Sequence, residues 1–163
     1  MLSADFFSHL GLVVKRGFLD REACARIRAE VQGGVAAPRK IVRDGVEIID
    51  ENFRKRSTVT VSAATRLYVE ERLLALRSDL EGCFGLEFPE HEAPYFGAYR
   101  PGDFFLPHTD RADHPDAPEP VGEAGTLIAF RANVSHEVES ITNGVRYTVV
   151  CRFGRSPRRT MGG

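Results

Sequence analysis

Two residues that could share a metal ion stand close together in FGAYRPGDFFLPHTD, residues 96–110: His108 and Asp110. The aromatic run before them reads as a strand. Side chains two apart on a strand project to the same face, so an imidazole and a carboxylate would converge on one point. The chain has only five histidines, and a second one, His136, opens another strand-like segment, HEVESI. Two histidines and one carboxylate with open coordination positions form the facial triad of non-haem iron(II) sites. Imidazole nitrogen and a hard carboxylate suit Fe(II), and the open positions leave room for a chelating cosubstrate and O2.

A His-x-Asp pair by itself is a common coincidence of loops. Here it follows a strand, a second histidine opens a later one, and Arg146 lies on VRYTVVCRF. That last segment is largely apolar on both faces, so it reads as covered on both sides, with Arg146 left to find an anion in a pocket. A rival arrangement is a zinc site of His108, Asp110, His114 and His136. RADHPDAPEP has no strand period and is full of turn residues, which places His114 on a solvated loop instead. His9 and His91 have no visible partners. Arg131 and Arg152 either reach substrate or lie at the surface.

The elements that must position these residues follow from pattern. GLVVKRGF reads as a strand, and LDREACARIRAEVQGG as a helix with Asp20 at its N-cap and Leu19, Ala23, Ile27 and Val31 as its apolar stripe. Residues 32–55 are polar, with a turn at Asp44–Gly45, and read as a surface run before the strand STVTV. From about Ala63 to Phe84, Leu67, Leu73, Leu74, Leu76, Leu80 and Phe84 fall mostly at helical spacing, predicting the longest helix, a scaffold element. Strands follow Pro94: YFGAY, FFLPHTD, TLIAF, HEVESI and VRYTVVCRF. Asn143–Gly144 between the last two predicts that they pair as a hairpin. Alternation then puts Arg146, Thr148 and Val150 on one face, and Tyr147, Val149, Cys151 and Phe153 on the other. Helices first and sheet afterwards means an α+β fold.

Composition bounds the function. With 163 residues, 42% of them hydrophobic, the chain is one domain with a core of its own. The 22 basic residues balance 23 acidic ones, so composition gives no field that would draw nucleic acid or anionic lipid. Three cysteines far apart argue against a disulfide framework. No apolar run approaches the ~18 residues of a membrane span, and no leader pattern opens the chain. The expectation is a cytoplasmic protein: residues 1–154 one domain, with 1–92 a helical support region and 93–154 the β core, then a flexible tail at 155–163.

YFGAYRPGDFFLPHTD followed by AGTLIAFRANVSHEVESITNGVRYTVVCRF resembles the iron(II)- and 2-oxoglutarate-dependent dioxygenases, in their prolyl 4-hydroxylase-like branch. The resemblance implies a double-stranded β-helix, a jelly-roll or cupin-like core, with N-terminal helices packed outside. It implies Fe(II) held by His108, Asp110 and His136, and 2-oxoglutarate anchored by Arg146, with Tyr99 and Thr148 as further contacts. O2 is the oxidant, ascorbate is an expected accessory, and hydroxylation of a prolyl residue or an amino-acid-like small molecule is the expected outcome. A guanidinium suits the carboxylate because it grips with two bonds and keeps its charge when buried.

In one respect the chain departs from that family. The interval from Asp110 to His136 is about half the usual length, so two core strands are expected to be missing there. The chain then either lacks residues of the natural protein, with a break near Pro118 to Gly122, or forms a reduced barrel that a homodimer completes. A non-catalytic cupin-like module binding a metal or small molecule is the rival reading. A zinc hydrolase is a third, disfavoured because no general base stands beside the ligands.

Overall fold

The structure is a computed structural model that describes residues 11–43, 46–110 and 123–154. The turn at Asp44–Gly45, His9, His114, the tail at 155–163 and the segment around Pro118 to Gly122 lie outside the described residues. In chain order the elements are β1 (Leu12–Lys15), α1 (Arg21–Gly33), β2 (Ala36–Pro38), β3 (Ile41–Arg43), β4 (Val46–Ile48), β5 (Arg54–Lys55), β6 (Ser57–Val59), α2 (Ala63–Leu74), α3 (Arg77–Phe84), β7 (Glu90–His91), β8 (Tyr95–Tyr99), β9 (Phe104–His108), β10 (Leu127–Phe130), β11 (His136–Val138), β12 (Arg146–Val150) and β13 (Phe153–Gly154).

Helix α1 starts where the sequence places it. The Asp20 carboxylate accepts the Ala23 N–H at 2.8 Å, and Ala23, Ile27 and Val31 form its buried stripe. The predicted long helix is instead two, α2 and α3. At the break the Leu76 N–H turns back to the Leu73 carbonyl at 3.0 Å. The core stripe nevertheless runs through both pieces, with Val69, Leu73, Leu76, Leu80 and Phe84 all buried. That continuity is why the pattern reads as one helix. Leu67 does not join the stripe and is 54% exposed. Glu30 of α1 ties the start of α2, accepting the Ser62 N–H at 2.9 Å and the Thr65 hydroxyl at 2.5 Å.

The sheets are antiparallel. A larger one has the order β12-β8-β6-β2 and a smaller one β11-β9-β5, with β1 paired to β10, β7 to β13 and β3 to β4. The predicted hairpin does not form. Gly144 does turn with a φ of 74°, but β11 pairs with β9 while β12 pairs with β8, so the chain crosses from one sheet to the other. Backbone bonds between Ile141 and the Gly102–Asp103 turn, at 2.8 and 3.0 Å, engage the segment before Asn143 and carry it across.

Alternation along β12 holds. Tyr147, Val149, Cys151 and Phe153 pack against the core formed by the helices with Val59, Phe96 and Ala98 of the larger sheet. The opposite face of that sheet carries Tyr95, Gly97 and Tyr99, with Thr148 and Arg146 beside them in register. Residues 32–55 are mostly exposed, as their polarity predicts, yet they lead into the smaller sheet through β5 and end near two buried arginines, Arg54 and Arg56. Among the described residues the interval from Asp110 to His136 holds one strand, β10, which joins β1.

Candidate metal centre

Strand β9 ends on His108 and β11 begins on His136, and the two are register partners across the smaller sheet. Asp110 follows just beyond β9. One ligand atom from each of His108, Asp110 and His136 lies within 4.8 Å of the other two. The backbone fixes which histidine nitrogens face the centre. His108 Nδ1 lies 2.9 Å from the Leu106 carbonyl, and His136 Nδ1 lies 3.1 Å from the Val134 carbonyl. A carbonyl only accepts, so each Nδ1 carries the proton and each Nε2 keeps the lone pair that a metal binds.

Aromatic walls hold the rings. Phe105 stacks on His108 at 3.4 Å between centroids, and Phe130 lies 4.6 Å from His136. Burial, with help from His136, pushes the His108 pKa down to about 4 against the opposing pull of the Leu106 bond. The imidazole is therefore neutral, and a competent ligand, throughout the physiological range.

Asp110 is held from behind. Arg152 donates to the same carboxylate oxygen through Nη2 at 2.9 Å and Nε at 3.3 Å, leaving the other oxygen for a metal. Its Nη1 reaches Glu92 at 3.3 Å. Burial opposes the Arg152 charge, but Tyr95, Asp110 and Glu92 together more than offset it and raise its pKa. Arg152 is thus a partly exposed group whose guanidinium is engaged by two carboxylates. Arg131 is also spoken for, donating to the Phe84 carbonyl at the end of α3 at 2.6 Å. His91, which shows no partner in the sequence, bonds Glu70 at 2.7 Å and approaches Arg77 at 3.3 Å. Those partners lie on helices far along the chain, where spacing gives no signal.

The inner face of the larger sheet supplies the neighbouring wall. Arg146 is the register partner of Tyr99, and Thr148 that of Gly97. Tyr99 is 2% exposed, and its hydroxyl accepts from Arg56 Nη1 at 3.3 Å. The Thr148 hydroxyl is buried without a hydrogen-bond partner. Two residues escaped the sequence reading here, Arg56 and Arg54. Their only signal is that basic side chains in RKRS run into a strand whose alternation turns every second one inward. Arg54 lies over the Phe105 ring at 4.7 Å and donates to the Lys40 carbonyl. Burial, then the charges of Arg56 and Arg39, pull its pKa down to about 10. These arginines and Arg100 line a cleft of about 320 Å3 at the β8–β9 turn.

Comparison with solved structures bears on the fold. A Pseudomonas putida prolyl-4-hydroxylase superposes with a TM-score of 0.68 at 20% identity, over 93% of this chain and 97% of its own. The chain has the fold of the 2-oxoglutarate and iron(II) oxygenases. A Trichoplax adhaerens prolyl hydroxylase, solved with a hypoxia inducible factor peptide fragment, matches with a TM-score of 0.70 at 14% identity, over 93% of this chain and 87% of its own. A Burkholderia pseudomallei oxidoreductase of the 2OG-Fe(II) oxygenase family matches with a TM-score of 0.59 at 18% identity, over 92% and 87% of the two chains. No family model and no curated protein matches the sequence. Among the described residues no helix is long and apolar enough to cross a membrane.

Proposed function

We propose that the protein is an Fe(II)- and 2-oxoglutarate-dependent oxygenase that hydroxylates an unactivated C–H bond. The observation that carries this is the convergence of His108, Asp110 and His136, with both Nε2 atoms freed for a metal by Nδ1 bonds to backbone. A bound iron with 2-oxoglutarate and O2 supplies the oxidation, releasing succinate and CO2 and placing one oxygen atom on the substrate. The chain's own residues do the rest. His108 and His136 each hold Nδ1 on a backbone carbonyl and keep Nε2 for the metal, Arg152 orients Asp110, and Phe105 and Phe130 pack against the rings.

In this reading Arg146 takes the distal carboxylate of 2-oxoglutarate from β12, with Tyr99 and Thr148 beside it. The solved relative that carries a peptide supports a peptide or amino-acid-like substrate, with a prolyl residue as the first candidate. Incubation with Fe(II), 2-oxoglutarate and O2 tests the function even without the native substrate, through slow uncoupled turnover. Succinate should form only when Fe(II) is present and should be lost in His136→Ala. Persistence of 2-oxoglutarate under these conditions would favour a non-catalytic binding module.

A further inference from the structure

The inner face of the larger sheet carries several buried hydrogen-bonding groups without a partner. Arg56, just before β6, is only 7% exposed, and its Nε and Nη2 are buried without a partner while Nη1 goes to Tyr99. The guanidinium lies against Gly97, where a Cβ would collide with Nη2. Thr58 and Thr148 are the register partners of Gly97 on the two flanking strands, and both of their hydroxyls are buried without a partner. Adjacent strands lie only ~4.8 Å apart, so two hydroxyls and two charged N–H groups gather around one glycine. Leaving such donors unmatched is costly, and Arg39 and Arg54 nearby add like charge. A planar fork flanked by hydroxyls is matched by a carboxylate.

We propose that Arg56, Thr58 and Thr148 form the seat of the far carboxylate of the 2-oxo dicarboxylate, which is thereby gripped from β6 as well as by Arg146 from β12. Tyr99 links the two sides, because it bonds Arg56 and is the register partner of Arg146. This inference rests on the oxygenase reading above. Gly97 has its own part in the seat, since any side chain there would displace the guanidinium.

The test is calorimetric titration of Mn(II)-loaded protein, which binds without turning over, with 2-oxoglutarate and with 2-oxopentanoate. The second ligand keeps the oxo acid and chain length and lacks the far carboxylate. The parent should prefer 2-oxoglutarate strongly. Arg56→Gln should weaken 2-oxoglutarate by ~10-fold or more and leave 2-oxopentanoate within about twofold, as loss of a charge-assisted pair requires. Arg56→Lys should recover part of the loss, and Thr148→Val, which preserves shape, should weaken 2-oxoglutarate alone. A selective parent with an unaffected Arg56→Gln variant would overturn the seat and leave the oxygenase reading standing. An equal loss for both ligands in Arg56→Gln and in Thr148→Val would assign these residues to folding and overturn the seat. A parent that binds both ligands alike, or neither, would overturn the oxygenase reading and the seat with it.

Discussion

At the scale of single residues, the candidate metal ligands are held from behind by other groups. Arg152 is the clearest case, because it fixes one Asp110 oxygen with two N–H groups. Groups of this kind tune metal affinity without touching the metal. Arg152→Met keeps much of the apolar stem and removes the fork, so it should lower Fe(II) or Mn(II) affinity by ~10–100-fold while the apoprotein melts near the parent temperature. Unchanged affinity would detach Arg152 from the centre. The nearness of His108 and Asp110 was legible from their i, i+2 spacing at the end of a strand, although Asp110 itself lies just beyond β9. The role of Arg152 was not legible, since its partner Asp110 lies 42 residues away in the chain and only folding brings them together. Arg56 and His91 were missed for the same reason.

At the scale of elements, α1 and α2 are joined through Glu30, whose carboxylate accepts from Thr65 and Ser62. The Thr65 hydroxyl first, then the Ser62 N–H, hold its pKa below the usual carboxylate range. A carboxyl depressed in the folded state contributes stability above its unfolded pKa of ~4.3 and loses that contribution as pH falls through the folded value. Thermal melts of the apoprotein from about pH 7 down to about pH 3 should therefore show an acid-side loss that Glu30→Gln reduces. Equal slopes in parent and variant would remove Glu30 from the account. The stripe shared by α2 and α3 gives a larger effect. Leu80 is 3% exposed, so Leu80→Ala should cost about 2–5 kcal/mol in denaturant unfolding. A cost well under 1 kcal/mol would mean that the helices do not pack on the larger sheet as described.

Local patterns settled which segments become strands and helices better than they settled pairing. The capped start of α1 and the two faces of β12 follow from side chains a few residues apart. The hairpin at Asn143–Gly144 failed because the turn is local whereas the partners are not: β11 and β12 each find a better neighbour in β9 and β8. The break between α2 and α3 left no Gly or Pro to read, because the buried stripe passes through it unchanged.

For the molecule as a whole, the helices cover one face of the larger sheet, and the other face carries Tyr95, Gly97 and Tyr99 with Arg146 and Thr148 beside them. The outer face is filled by Phe96, Ala98 and Val149 against the helices, while the inner face collects Tyr99, Thr148 and the buried Arg56. The measurement that bears most directly on the central claim is an anaerobic titration with Fe(II) followed by 2-oxoglutarate, read in the visible spectrum. A weak charge-transfer band should appear only when both are present and should be absent in His136→Ala. No band in the parent, or the same band in the variant, would contradict a centre built from His108, Asp110 and His136.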